Sequence, residues 1–297
     1  MKQVLIIGSR NSGSKNNPDD IARFIAQNDA QVTNVHWEDL VFSVKSGAVA
    51  ITAGDVDVLS TETDLVVAVG WYKNGKKSVY RDVAFALALA LKHRNIRFWN
   101  SEMAHQRSTT KLSAMVQLAL EGVPVPDTIF SLDTRKTLAT YETYPYVIKA
   151  IAASRGESNY LIENEAQLAE ANLSEGFFLI QPFLENDHDV RVICFGGKPT
   201  LVLRRSRQEN ADTHMNNTSQ GGNADWLELS SLTPELLTLS EKVCMIMGRE
   251  MAGIDLIPDS SSSVGYSCLE VNAVPQLTSG TDSDKKLTAF AQAVRDL

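Results

Sequence analysis

Asp255, Glu270 and Asn272 are the residues of this chain whose types and spacing could do chemistry. Asp255 lies inside the apolar run 251–257, and Glu270 and Asn272 end the second run, 266–271, beyond a Ser-rich link. An acid inside a strand-like apolar run costs free energy unless something pairs with it. Side chains two apart on a strand share a face, so Glu270 and Asn272 point the same way. A hairpin that sets Ile257 near Tyr266 puts Asp255 on that face, diagonal to Glu270 and on the order of 7–8 Å from it. Two carboxylates and an amide oxygen, with no His or Cys among them, are hard ligands. They suit Mg²⁺, which usually completes its octahedron with phosphate oxygens. The alternative is a half-buried hairpin whose polar residues face water.

Cationic side chains are the second requirement of phosphate chemistry. Lys149 closes the strand-like run YPYVIK and precedes a small-residue loop, AIAASRGESN, that contains Gly156. A lysine at that place can hold phosphates from one side. Lys111 opens a helix after STT, near the positive end of its dipole, and alone it reads as an ordinary surface residue. The loop GSRNSGSKN (8–16) has Gly8 and Gly13 at P-loop spacing. Ser14 stands where that motif requires lysine, however, and Asn16 where it requires a hydroxyl. G-x-G-x-x-G is also absent, so the segment reads as a strand-to-helix turn that could touch a substrate. The five histidines, at 36, 93, 105, 188 and 214, show no ligand spacing.

The elements that must position these residues alternate along the chain. Strands are expected at 4–8, 32–37, 65–70 and 96–99, with helices from Pro18 to about residue 28 and over 79–93. The unbroken apolar run LVVAVG points to a parallel sheet. The middle of the chain predicts a helix over 108–121 stopped by Gly122. It then predicts an extended VPVPDTIF, a strand at 144–150, a helix over 164–172 and a strand over 177–184 that breaks at Pro182. DVRVICF, Gly196–Gly197 and KPTLVLRR read as a hairpin. Thr233 caps a helix with Pro234 at its first position, running to about residue 250, and a last helix covers roughly 284–296.

In this order the pieces resemble the ATP-grasp fold, and within it the RimK-like carboxylate–amine ligases. The residues that carry the resemblance are Lys111; Lys149 with Gly156; Gln181-Pro182-Phe183-Leu184; Asp189-Val190-Arg191; and Arg205. They continue with Asn217 and Gly221–Gly222, Gly253-Ile254-Asp255, and Glu270-Val271-Asn272. The resemblance implies an α/β (α+β) fold with an N-terminal βαβ domain. Its parts would be a Rossmann-like domain over 1–104, a central ATP-grasp subdomain over 105–183 and a C-terminal one over 184–297. It implies ATP and Mg²⁺ as cofactors, with Mn²⁺ as an alternative ion. Asp255, Glu270 and Asn272 would hold the metal, and Lys111 and Lys149 the phosphates. Gln181 to Leu184 would line the adenine, with Glu185 or Asp187 at the ribose. Arg191 and Arg205 would face the transferring phosphoryl group and the acyl phosphate. Asn217 with Gly221–Gly222 would shape the acceptor site, where His214 could act on the amine or be a surface residue. Three positions depart from the family pattern: Pro182 replaces an acid at the hinge, the phosphate loop has one glycine, and Gln276 stands where a glycine is common.

The implied activity is ATP-dependent amide or peptide bond formation through an acyl phosphate. A small-molecule kinase and a nucleotide-binding module without catalysis are the alternatives. Basic segments at 71–81 and 204–208 on a chain of net charge −8 point to an anionic substrate, such as an acidic amino acid or peptide; the first also reads as a solvated loop. The same net charge argues against nucleic acid as partner. A hydrophobic content of 43% with 22% charged residues is that of a soluble globular chain. Three scattered cysteines without CxxC fit a reduced cytoplasm and neither a disulfide framework nor a zinc site. The apolar stretch in MKQVLIIGS is too short for a signal peptide, and no run has the length of a membrane span. The frequent dimers and tetramers of the family leave a homo-oligomer open.

Overall fold

In a computed structural model the chain is described over residues 1–297 except 11–15, 29, 70–76, 106–110, 141–142, 152–158, 172, 174–176, 209–215 and 217–221. The N-terminal third begins with β1 (Lys2–Gly8), α1 (Pro18–Ala26) and β2 (Ala30–His36). Asn17 caps α1 by accepting from the backbone N–H of Asp19 at 2.9 Å, and Pro18 fills the first position, where a missing N–H costs nothing. Three short strands follow, β3 (Leu40–Lys45), β4 (Ala48–Ala53) and β5 (Val56–Asp57), then β6 (Leu65–Ala68), α2 (Lys77–His93) and β7 (Phe98–Trp99). The order β2-β1-β6-β7, parallel throughout, matches the expectation from the apolar run at 65–70. The separate antiparallel sheet β3-β4-β5 was not expected. Its one sequence signal is the turn Ser46-Gly47, where both residues have positive φ, 49° and 79°. Its hydrophobic alternation is weak because Val41 and Val44 point to solvent.

The middle of the chain contains α3 (Lys111–Leu120), β8 (Ile129–Phe130), α4 (Thr134–Thr140), β9 (Tyr146–Ala150), β10 (Asn159–Ile162), α5 (Glu165–Glu170) and β11 (Phe178–Pro182). The strands form an antiparallel sheet in the order β10-β9-β11-β8. The last part holds β12 (His188–Phe195), β13 (Lys198–Ser206), β14 (Asn223–Leu227), α6 (Pro234–Met247), β15 (Ala252–Pro258), β16 (Tyr266–Asn272) and α7 (Ser283–Arg295). Its five strands run antiparallel in the order β14-β13-β12-β15-β16. Gly196 and Gly197, at φ 62° and 77°, close the expected β12–β13 hairpin. Gly248 ends α6 in the left-handed conformation, two residues before the expected end.

Packing does not follow chain order. The apolar face of α3 (Ala114, Met115, Leu118) enters the core under β12, β15 and α6 rather than the central sheet that follows it. One face of the parallel sheet (Val4, Ile6, Leu65, Val67) shares a core with α1, with α7 (Leu287, Phe290, Val294) and with Ile193 and Phe195 of β12. The central sheet has a small core of its own: Tyr146, Ile148, Ile162, Phe178 and Ile180. Among the described residues no helix is long and apolar enough to cross a membrane.

Candidate active site

The β15–β16 hairpin forms as expected, but its register differs. Pro258 pairs with Tyr266 and Ile257 with Ser267, and a bulge between Asp255 and Leu256 then takes up Leu269 as an extra residue. Asp255 therefore lies directly opposite Glu270, not diagonal to it, and Gly253 lies opposite Asn272. Direct opposition brings Cβ atoms to about 5 Å, closer than the diagonal arrangement. The single-residue shift keeps Asp255, Glu270 and Asn272 on one face.

That face extends across β12 and β13. Arg191 pairs in register with Asp255, and Asp189 with Arg205. The Arg191 Nε donates to Asp255 Oδ1 at 2.6 Å and its Nη2 to Oδ2 at 2.7 Å, a bidentate pair. Arg205 Nε donates to Asp189 Oδ1 at 2.6 Å, and its Nη2 lies 3.3 Å from Asp255 Oδ1. Burial pushes the Asp255 carboxyl up, but Arg191 and then Arg205 outweigh it and hold the group below its ordinary value. Burial raises Glu270, as does the charge of Asp255, against the opposing pull of Lys111, Arg191 and Lys149.

The lysines come from the opposite side. Lys149 lies near the end of β9, and its Nζ donates to Gln181 Oε1 at 2.7 Å; Gln181 Nε2 in turn donates to Thr128 Oγ1 at 2.9 Å. The side chain of Gln181 thus orients the lysine. Burial lowers Lys149 to about 8, with Glu270 pulling the other way. Lys111 starts α3, and its Nζ donates to the carbonyl of Ala150 at 2.9 Å; burial lowers it too, again against Glu270.

One cleft is lined by both lysines, Gln181, Phe183, Leu184, Arg205, Asp255 and Glu270. Asn272 lines an adjoining cavity together with Lys111 and Glu270. Glu185 is exposed on a neighbouring groove with Asp187. Gly156, Asn217, Gly221 and His214, with the segment 71–76, lie outside the described residues. Gly222 is described, and a Cβ there would lie 2.6 Å from the carbonyl oxygen of Asn216, so the backbone fits only glycine.

Three residues in or around the cleft were not expected. Asn216 is buried in the cleft wall and donates to Asn186 Oδ1 at 2.7 Å; Asn186 donates to the carbonyl of Leu184, also at 2.7 Å. Their only sequence signal is adjacency to Asn217 and to the 181–184 segment. The third, Asn100, is buried where the parallel sheet ends. It accepts from Met251 N at 2.6 Å and donates to the carbonyls of Met251 and Ala273, clasping the start of β15 to the end of β16. Nothing in its local sequence marks it.

Among the described residues no group of three or more His, Cys, Asp or Glu could hold a metal. The expected set has only two acids and an amide, and its chemistry fits a hard divalent ion. Asp255 already attracts two guanidinium groups, and Glu270 has cations on both sides.

Residues 108–294 match the RimK-like ATP-grasp domain. The chain belongs to the RimK-like ATP-grasp family. A probable alpha-L-glutamate ligase of Trichodesmium erythraeum is 30% identical over 207 residues, covering 65% of this chain and 67% of that protein. Other curated relatives are matched over as little as 57% of their length. A structure of the ATP-grasp ligase PsnB, complexed with a phosphomimetic variant of a minimal precursor, Mg and ADP, superposes with a TM-score of 0.71 at 14% identity. The match covers 100% of this chain and 98% of that one. The macrocyclase MdnC of Microcystis aeruginosa, bound with the precursor peptide MdnA, gives 0.68 at 14% identity over 99% and 100% of the two chains. The RimK-like match begins just before α3 and contains every candidate metal, phosphate and catalytic residue, while the parallel sheet, the loop 8–16 and the segment 71–81 precede it.

Proposed function

We propose that this protein is an ATP-dependent carboxylate–amine ligase that activates a carboxylate as an acyl phosphate and transfers it to an amine. The observation that carries this reading is the cleft. It sets an acid pair backed by two arginines against two half-buried lysines, with no nucleophile–base pair between them among the described residues. In the first step a substrate carboxylate attacks the γ-phosphate of ATP, and ADP leaves. In the second the amine attacks the acyl carbonyl, and phosphate leaves. Both steps develop negative charge on oxygens, so fixed positive charge is what the protein must supply.

Asp255, Glu270 and Asn272 would hold Mg²⁺, or Mn²⁺ in its place. The ion would neutralise phosphate oxygens as they gain charge. Lys149, held by Gln181, and Lys111, held by the Ala150 carbonyl, are placed to bind phosphates from the other side. Arg205, fixed by Asp189, presents charge to the phosphoryl group. Phe183 and Leu184 line the same cleft beside Lys149, where a base would stack, and Asn186 fixes the Leu184 carbonyl. Asn217 and Gly156 keep the acceptor-site and phosphate-loop roles that the family pattern gives them.

The names of the relatives and the peptides bound by the structural neighbours support an acidic amino acid or a peptide as substrate. The division that goes with this reading is a leading domain over 1–104, a central part over 105–183 and a C-terminal part over 184–297, with α3 packed into the core of the last. The three buried free cysteines support a reducing cytoplasm.

The test is ADP and phosphate release with Mg²⁺-ATP against pooled amino acids and acidic peptides, with mass spectrometry of the products. A pool-dependent release with a new amide mass supports the ligase. A phosphorylated product would replace it with a kinase, and Mg²⁺-dependent nucleotide binding without release would replace it with a binding module.

A further inference from the structure

Both oxygens of Asp255 accept from one guanidinium, that of Arg191, at 2.6 and 2.7 Å. A divalent ion on the same carboxylate would sit beside a fixed positive charge in a buried place, where like charges repel strongly. The two arginines on this face are not equivalent. Arg205 has its own acid, Asp189, at 2.6 Å, and its side chain is only 5% exposed. Arg191 is held by Asp255, and its side chain is 23% exposed. Diagonal to it on β15, and opposite Asn272, is Gly253. A Cβ at 253 would lie 3.7 and 3.8 Å from the Arg191 Cδ and Nε and 3.8 Å from the Asn272 Cβ, so Arg191 and Asn272 flank one position of β15.

We propose that Arg191 is the internal counter-cation of Asp255. It occupies the acid in the nucleotide-free protein and makes divalent-ion binding depend on nucleotide. This inference rests on Asp255 being a metal ligand, as proposed above. The phosphates of ATP can replace the carboxylate for Arg191, because a phosphate offers two oxygens in the geometry a guanidinium fork accepts. Arrival of ATP would draw Arg191 from Asp255 to the phosphoryl group and free Asp255 Oδ2 for the ion that the phosphates bring, while Arg205 Nη2 remains 3.3 Å from Oδ1. Arg205 stays on Asp189 and keeps the face from accumulating uncompensated negative charge. The exchange forms and breaks ion pairs only; no covalent bond changes.

The test is Mn²⁺ binding to the nucleotide-free protein, followed by electron paramagnetic resonance at fixed ionic strength, in the wild type, Arg191→Met and the double variant Arg191→Met/Asp255→Asn. The expected result is weak binding by the wild type, at least about tenfold tighter binding by Arg191→Met, and loss of that gain in the double variant. Equal Mn²⁺ affinity in the wild type and Arg191→Met overturns the proposal. If the double variant keeps the gain, the proposal is again overturned, together with the assignment of Asp255 as a ligand. The metal assignment is read separately by Mn²⁺ binding to the wild type with AMPPNP, which Glu270→Ala should abolish whatever Arg191 does. If Arg191→Met does not fold, Arg191→Lys retains the charge without the bidentate contact, and an unchanged Mn²⁺ affinity in that variant counts against the proposal.

Discussion

The two sheets that face each other across the cleft are built differently. The C-terminal sheet carries its charges as interlocked pairs, Arg191 on Asp255 and Arg205 on Asp189. Beneath it lies an apolar cluster to which α3, α6 and four of its strands contribute. The central sheet carries Lys149, held by Gln181, and offers the Ala150 carbonyl to Lys111 of α3, over a core of five fully buried residues among those described. None of those five belongs to the core that joins the C-terminal sheet to the parallel sheet and α7. The paired acids and guanidinium groups sit on the heavily packed side. Lys149, which has to approach a flexible polyphosphate, sits on the lighter one. A small separate core opens locally at lower free energy than a shared one, so local opening is expected first in the central sheet.

The comparison can be broken most directly at the acid pair. Glu270→Ala is expected to lower ATP turnover by about 10²–10³-fold, with an unchanged melting curve. Normal ADP release by that variant would remove Glu270 from the site. Paired core truncations come next. Ile254→Ala and Ile148→Ala should each cost about 2–5 kcal/mol, but in different places. The first should lower the denaturant midpoint of the whole protein. The second should appear in hydrogen exchange as faster opening of β9, β10 and β11 while β1 and β6 stay protected. Equal loss of protection everywhere would mean that the two sheets unfold as one unit.

Lys149→Met should raise KM for ATP by about ten- to a hundredfold, with a smaller effect on kcat. A fall in kcat alone would mean that the lysine acts on the transition state and not on the bound nucleotide. The smallest effect sits at the joint to the parallel sheet. Lys286 of α7 is buried, its Nζ donates to the carbonyls of Gln276 and Ser279, and burial lowers it to about 8, with Arg191 adding to the shift. Between about 8 and its ordinary 10.5 the folded chain has shed a proton that the unfolded chain keeps. Stability therefore rises with pH across that window. Wild type should gain about 1–3 kcal/mol over Lys286→Met between pH 8 and 10.5; parallel stability curves would show that the lysine titrates normally.

Much of the fold was legible because local rules and tertiary structure agree. Asn17-Pro18 and Thr233-Pro234 open helices by local capping, Gly196-Gly197 makes the β12–β13 turn, and LVVAVG reads as a strand buried in a parallel sheet. The short strands β8, β10 and β14 gave no comparable signal, because partner strands rather than their own residues hold them extended. The acid ligands were legible because a carboxylate in an apolar strand needs a partner. That the partner of Asp255 is Arg191 was not, since the two lie 64 residues apart and meet only through strand pairing. The hinge position of Gln181 points to the base, yet its side chain turns to Lys149 on the neighbouring strand. Asn100 gave no signal because its function is to join chain segments about 150 residues apart.

The sequence by itself determined which residues can carry charge chemistry, which face of each strand they occupy and the order of the elements, because periodicity, caps and turn residues act over a few neighbours. Tertiary structure alone decided the one-residue bulge that sets Asp255 opposite Glu270, the pairing of two arginines with two aspartates, and the placing of α3 beneath the acid face. Those outcomes depend on which surfaces bury best against each other and on which buried charges can be neutralised. Both are energies of the assembled molecule, not of any stretch of its chain.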